Sequence, residues 1–322
     1  MLVHPSEAAA RFHIKHTHNV DVHADNLAHW DQRYEQTSPG RFQGEVRELV
    51  DGPFQVFHEV ANCATAQRCA PWQGGVWVGL SAPDNDSGLR FMGRPTAPRQ
   101  LMVASGHAHF DLQVPAGHGL YGLVVEHSQL EQHVQQLHHR PLSTGQASAP
   151  QVQDMSTLQR MRLVGMLREV LKGLDGNPLA LLHEASRKSL KQAVLTVLTD
   201  TLLPMSLHEA ATPRQLRRHA LVQRARDKVL GEPDTPHSVA DLCSHLHVTR
   251  RTLQNSFQET LGLSPATFLR SVRLNAVRRA LREPGNATIA EVAARWGFWH
   301  MGHFSQEYKA LFGETPSQTR RP

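Results

Sequence analysis

SVADLCSHLHV (Ser238–Val248) and TIAEVAARWGF (Thr288–Phe298) are two copies of one pattern, offset by 50 residues. Ser238 aligns with Thr288, Val239 with Ile289, Ala240 with Ala290, Asp241 with Glu291, Leu242 with Val292, Leu246 with Trp296 and Val248 with Phe298. Each copy opens with a hydroxyl residue followed three positions later by a carboxylate. That pair satisfies two of the unpaired amides at a helix start. Past the turn the offset becomes 51: Leu253 aligns with Phe304, Phe257 with Tyr308, Gly262 with Gly313, Ser264 with Thr315 and Pro265 with Pro316. One extra residue therefore sits near the start of the second copy's last helix. Gly262 and Gly313 read as helix stops, each with a proline three residues on. Each copy reads helix–turn–helix, with Ala240 and Ala290 expected where two helices approach closely. Gly297 suits a left-handed turn in the second copy. His247 occupies that place in the first, where a side chain costs conformational energy.

The outward faces carry the chemistry. In TRRTLQNSFQETLG (Thr249–Gly262), Leu253, Phe257 and Leu261 face inward, leaving Arg250, Arg251, Gln254 and Asn255 outward. Arginine suits guanine edges in the major groove, and Gln or Asn suits adenine edges. The second copy presents His300, Met301, Gly302, His303, Ser305 and Gln306, a less polar set. Between them, PATFLRSVRLNAVRRALRE (Pro265–Glu283) reads as one long helix. Its Arg270, Arg273, Arg278, Arg279 and Arg282 are candidate phosphate contacts, a solvated face being the plain alternative for each. A rigid connecting helix would set two recognition helices on one side of a duplex, about one helical turn apart.

Charge supports this division. The 322 residues carry 34 Lys+Arg, 29 Asp+Glu and 22 His, a net +5. Only six of the cations are Lys, and 28 are Arg. Residues 214–322 carry +8 and residues 1–213 carry −3. The C-terminal third is thus suited to a polyanion and the remainder is not. No apolar run reaches the roughly 18 residues of a membrane span, and residues 1–20 have no apolar signal core. The three cysteines (Cys63, Cys69, Cys243) cannot form a disulfide framework and fit a reducing cytoplasm as packed thiols.

Residues 1–40 read as irregular and His-rich. From Gly44 to Glu126, seven short runs bounded by Gly, Pro and Asp-Asn read as strands of a sandwich or barrel: 44–50, 54–60, 76–82, 89–93, 101–105, 109–114 and 120–126. Helical periodicity follows over 128–139, 156–174 and 178–203, and Pro204–Pro213 reads as a linker. Leu158, Met161, Leu163, Leu167, Val170 and Leu171 form the expected inner stripe of the second of these helices. The helix pair could dimerise or pack on its own domain.

The stretch WGFWHMGHFSQEYKALFGETPSQTR (Trp296–Arg320) resembles the most specific signature of the AraC/XylS family of bacterial transcription regulators. Gly297, Phe298, Phe304, Ser305, Lys309, Phe312, Gly313, Pro316 and Arg320 match, with Tyr308 in place of Phe. Within the family, SPGRFQGEVRELVDGPFQVFHE (Ser38–Glu59) and DLCSHLHVTRRTLQNSFQETLGLSP (Asp241–Pro265) resemble the subgroup that controls ethanolamine-utilisation operons, loosely so after Asp84. The resemblance implies an α+β chain of two domains. A cupin-like β-barrel or sandwich senses effector over 1–150, a helical dimerisation and linker segment spans 151–213, and an all-α double helix–turn–helix binds DNA over 214–322. It implies a cytoplasmic, non-enzymatic activator that binds an operator duplex, meets RNA polymerase, forms a possible homodimer, and answers to ethanolamine with adenosylcobalamin. By carry-over, Arg251, Gln254 and Asn255 are base-reading positions of the first recognition helix. Met301, Gly302, His303 and Gln306 are those of the second.

The sensor's motifs are ambiguous. His107, His109 and the PAGH stretch (Pro115–His118) loosely mimic cupin metal ligands, but a carboxylate ligand at cupin spacing is absent. Trp72 and Trp77 could line an ammonium pocket or simply fill the core. No Asp-x-His-x-x-Gly motif marks a cobalamin site. Three other readings remain: a regulator of a different small-molecule catabolic operon, a metal-dependent cupin enzyme fused to a DNA-binding domain, and an alkylation-repair protein. Cys63 and Cys69 lack the zinc cluster or Pro-Cys-His-Arg context that the last would need.

Overall fold

The runs VWVGLS and LYGLVVE, apolar at nearly every position, become neighbouring central strands buried on both faces, which is why they do not alternate with polar residues. The computed structural model describes residues 10–82, 88–106, 109–138, 150–202, 212–235, 237–285 and 287–320. Its strands are β1 (Arg11–Thr17), β2 (Asp31–Gln36), β3 (Gly44–Val50), β4 (Phe54–Ala61), β5 (Thr65–Ala70), β6 (Gly75–Ser81), β7 (Arg90–Phe91), β8 (Arg94–Pro95), β9 (Gln100–Ser105), β10 (Phe110–Val114), β11 (Leu120–Glu126) and β12 (Gln151–Asp154). One antiparallel sheet runs β1-β3-β4-β11-β6-β9-β12 and the other β2-β5-β10-β7-β8. Neither closes on itself or on the other among the described residues. The arrangement is a pair of open sheets, and the closed-barrel form of the expectation does not appear.

Alternation along β11 shows how the sheets are covered. Leu120 and Val124 point into a core shared with the five-stranded sheet, where Trp77 stacks on Phe110 at 4.3 Å and Phe57, Phe91, Met102 and Leu112 fill the remainder. Tyr121, Leu123 and Val125 point the other way, onto a helical layer. That layer is α2 (His127–His138), α3 (Thr157–Gly176) and α4 (Glu184–Leu202), which seat Val134, Leu163, Leu167, Leu171, Val194 and Leu198 on the seven-stranded sheet. Gly79 and Gly122 leave room for the rings of Trp77 and Phe57, which a Cβ would meet at 2.1 and 2.0 Å. Trp72 and Trp77 are thus core residues, each 1% exposed.

Several expectations are corrected. Residues 11–36, read as irregular, form β1, α1 (Val20–Ala24) and β2. Strands β5, β8 and β12 also went unread. The helix expected from Pro178 begins as a single 3-10 turn (Pro178–Leu182) before α4. Leu158 and Met161 lie off the buried stripe of α3, 56% and 65% exposed. The inner faces of α3 and α4 pack on their own domain. Of the expected linker, 204–211 lie outside the described residues, as does His107.

The C-terminal part is helical as expected: α5 (Pro213–Gly231), α6 (Val239–Leu246), α7 (Arg250–Leu261), α8 (Pro265–Arg282), α9 (Ile289–Arg295), α10 (Met301–Phe312) and α11 (Pro316–Arg320). Ser238–Asp241 and Thr288–Glu291 both form the reciprocal caps. His247 adopts φ 53 and Gly297 φ 81, and Gly262 and Gly313 end α7 and α10 left-handed. Ala240 and Ala290 are exposed, so they do not mark close helix contacts. Among the described residues, no helix is long and apolar enough to cross a membrane.

Two histidines, His58 and His118, add to the acid sensitivity of the β domain. Burial pushes the His58 ring below the ordinary histidine range where it lies 4.6 Å from Tyr121. Arg47 reinforces the shift, and Glu45 and Glu59 oppose it. Burial lowers His118 likewise, beside Ser81 at 3.0 Å. The folded rings hold a proton less readily than unfolded ones. Their contribution is therefore complete above about pH 6.5 and is lost as pH falls below it. We expect the urea midpoint of the β domain to fall between pH 7 and 5, and to fall less in His58→Gln.

Candidate nucleic-acid interface

Helix α7 starts at Thr249, whose hydroxyl accepts from the Thr252 amide at 3.1 Å. Leu253, Phe257 and Leu261 anchor it against α5, α6 and α8. This fixes its rotation and leaves Arg250, Arg251, Gln254 and Asn255 all exposed on the opposite face. Neither Arg250 nor Arg251 has an ion-pair partner among the described residues, so both guanidiniums are available to a ligand. Beside them lies a notch of about 460 Å³ lined by Arg214, Arg217, Arg218, Thr252 and Asn255. Arg214 and Arg217 are exposed, and sequence reading had not assigned them. The signal lay in the Arg-Gln-Leu-Arg-Arg spacing at the start of α5, which puts cations on one side of a helix whose other side packs on α7.

Helix α10 starts at His300, whose Nδ1 accepts from the His303 amide at 3.2 Å. Phe304, Tyr308, Leu311 and Phe312 seat it in a second core with Leu274, Val277 and Leu281 of α8. Gly302, His303, Gln306 and Lys309 are exposed, while Met301 is half-buried against that core. Its face carries a glycine and one lysine where that of α7 carries two arginines.

The arginines of α8 separate into three groups. Arg270 and Arg282 are exposed, Arg270 pairing with Glu307 at 3.2 Å. Arg273 is half-buried, with its guanidinium 5.7 Å from the Phe298 ring. Arg278 corrects the phosphate-contact expectation. It is 3% exposed, pairs with Glu314 at 3.0 Å and lies 4.9 Å over the Phe312 ring. It braces α10 and α11 from inside and cannot reach a phosphate.

Arg279 belongs to a joint with the β domain. It pairs with Asp21 at 2.7 Å and Glu35 at 2.6 Å, and donates to the Tyr34 carbonyl at 3.2 Å. Burial lifts the Glu35 carboxyl above its usual range even though Arg279 and Arg33 both oppose the shift. Asn275, 1% exposed, accepts from the Gln36 amide at 3.1 Å and donates to the Gln36 carbonyl at 2.9 Å. The Gln36 side chain donates in turn to the Leu311 carbonyl at 2.6 Å, near the end of α10. Elsewhere along the joint, Gln223 donates to Asp111 at 2.8 Å, Asp111 meets His219 at 2.5 Å, and Arg90 donates to the Glu259 carbonyl at 2.8 Å. The β domain therefore holds the C-terminal ends of both α7 and α10 and leaves their N-terminal halves uncovered.

Residues 242–322 match the family model of a helix-turn-helix domain. The C-terminal part is thus similar to such a domain. The chain is 36% identical over 103 residues to a probable thc operon regulatory protein of Rhodococcus erythropolis, covering 31% of each. It is 37% identical over 73 residues to a XylDLEGF operon transcriptional activator of Pseudomonas putida, covering 22% of this chain and 23% of the other. The matched part spans less than a third of each of these relatives. Among solved structures, an AraC-type regulator from Chromobacterium violaceum aligns at 28% identity over 31% of this chain and 89% of its own, with a TM-score of 0.30. The AraC-like activator CuxR aligns at 13% over 79% and 88%, with a TM-score of 0.41.

Two outcomes test these placements. Arg278→Ala should cost about 2 kcal/mol in urea unfolding, since it strands Glu314 at a partly buried site, and should leave the salt dependence of DNA binding unchanged. Asn275→Leu should cost about 1–3 kcal/mol by leaving the Gln36 peptide unpaired, and should split a single calorimetric transition into two.

Proposed function

We propose that this chain is a transcription regulator that grips operator DNA with α7 and α10 while its β domain reports a small-molecule signal. One observation carries the reading. Two helix–turn–helix motifs share the rigid helix α8, each with the N-terminal half of its recognition helix uncovered. Arg250 and Arg251 supply guanine-reading forks, Gln254 and Asn255 adenine-reading amides, and Arg214, Arg217, Arg270 and Arg282 the sequence-independent attraction. Met301, Gly302, His303, Gln306 and Lys309 form the second, weaker reader.

In this reading the β domain is the cupin-like sensor. Its effectors are ethanolamine with adenosylcobalamin, on the likeness of Ser38–Glu59 and Asp241–Pro265 to that subgroup. The chain acts in the cytoplasm as an activator, works with RNA polymerase and has no catalytic role, and a homodimer is one form in which it could do so. Signal passes through the joint at Asn275, Arg279 and Asp111, which reaches α7 through Arg90 and α10 through Gln36. Control of another catabolic operon is the second reading. The relatives named for the thc and XylDLEGF operons favour it, and it changes only the effector.

Thermal shift with ethanolamine and adenosylcobalamin, separately and together, distinguishes the two. A larger rise with both supports the first, and no rise with either favours the second. For DNA, duplexes recovered by selection from a random library should be footprinted. Arg251→Ala should lose about 1–3 kcal/mol of discrimination at one base pair, and an unchanged preference would remove Arg251 from the base-reading set.

A further inference from the structure

The two motifs differ by one residue, and the structure identifies it. After left-handed His247, Val248 leads directly to Thr249, the cap of α7. After left-handed Gly297, Phe298 and Trp299 both precede His300, the cap of α10. Phe298 takes the place of Val248 and packs into the second core, 5.2 Å from the Phe304 ring. The additional residue is Trp299.

Its side chain is 87% exposed, more than any other large apolar side chain among the described residues. Its ring meets the His300 imidazole edge-on at 5.7 Å, a contact that leaves most of the indole uncovered, and tryptophan is seldom left so open to water. Its surroundings are cationic and peptide-rich. A notch of about 290 Å³ beside it is lined by Arg270, Arg273, His300, His303 and Glu307. The one carboxylate there, Glu307, is occupied by Arg270, and the buried Arg273 Nε has no partner. The twelve-residue helix α10 begins at the same edge, with its positive dipole end and with the His303 amide capped by the His300 ring. Guanidinium, helix N-terminus and an indole with a free N–H together suit a sugar–phosphate strand. Phosphate oxygens accept the N–H groups, and deoxyribose offers an apolar surface to the ring.

We propose that Trp299 is a DNA contact of the second motif: its ring lies on the deoxyribose backbone flanking the groove that α10 enters, and its Nε1–H donates to a phosphate oxygen. This rests on the operator-binding reading above. It also accounts for the asymmetry of the readers. The first grips with Arg250 and Arg251. The second, whose face is Gly302, His303 and a half-buried Met301, gains its hold from an inserted aromatic.

The protein supplies its own probe. Of five tryptophans, Trp72 and Trp77 are buried and Trp30 and Trp296 half-buried, so the emission reached by acrylamide belongs mainly to Trp299. With the intact chain and a duplex recovered by selection from a random library, DNA should shield that emission, and the shielding should vanish in Trp299→Phe. Trp299→Phe should bind within about threefold of wild type and Trp299→Ala about tenfold more weakly, with an unchanged salt slope because no cation is lost. Bound DNA that leaves the emission as quenchable as before, or wild-type affinity in Trp299→Ala, overturns the proposal while operator binding stands. Failure of the wild-type chain to enrich any duplex overturns the operator-binding reading as well.

Discussion

One amide side chain, Asn275, keeps the two halves of this chain in register. It meets the Gln36 peptide as a neighbouring strand would, donating and accepting at once at the edge of the five-stranded sheet. A buried peptide group left unpaired is expensive, so the α8–β2 contact tolerates little sliding or rotation. Asp21, Glu35 and Arg279 add charge complementarity at the same place. The interface is polar and hydrogen-bonded more than it is oily. Such contacts can separate and re-form in water, as inter-domain surfaces that move commonly do.

That joint changes how the arginine excess is understood. The basic C-terminal third looked from its charge like a surface for a polyanion. Arg278 is enclosed in the second core and Arg279 in the inter-domain joint, while Arg250, Arg251, Arg214 and Arg217 remain open. Histidines divide in the same way. His13 with Glu48, His23 with Glu59, His109 with Asp31 and His219 with Asp111 form imidazole–carboxylate pairs at 2.5–3.0 Å. Part of the His-rich character of the N-terminal region is therefore structural.

What could be read from the sequence was what local chemistry decides. Caps at Ser238 and Thr288, stops at Gly262 and Gly313, and the apolar runs at 76–81 and 120–126 need no distant partner to be recognised. The elements that went unread depend on partners far away in the chain. Strand β2 carries Glu35 and Gln36 at buried positions because α8 and α10 cover them, and no alternation announces that. Arg270 and Arg278 lie on one helix with the same composition around them. Only the arrival of Glu314 and Phe312 from later in the chain decides which is inside. The exposed faces of α7 and α10 were legible because they are leftovers, the positions that core periodicity does not claim.

The carbonyl of Leu311 accepts from both the Gln36 side chain and the Gly40 amide, the latter at 3.1 Å. Carbonyls in the last turn of a helix have no partner within it, so the β domain finishes the end of α10, which a different part of the chain builds. The reader is therefore not an interchangeable cassette. Moving residues 213–320 onto a different domain would carry the exposed residues of α7 and α10 along but leave the Leu311 carbonyl without these two donors. A partner domain would have to offer donors at matching places to complete that end again.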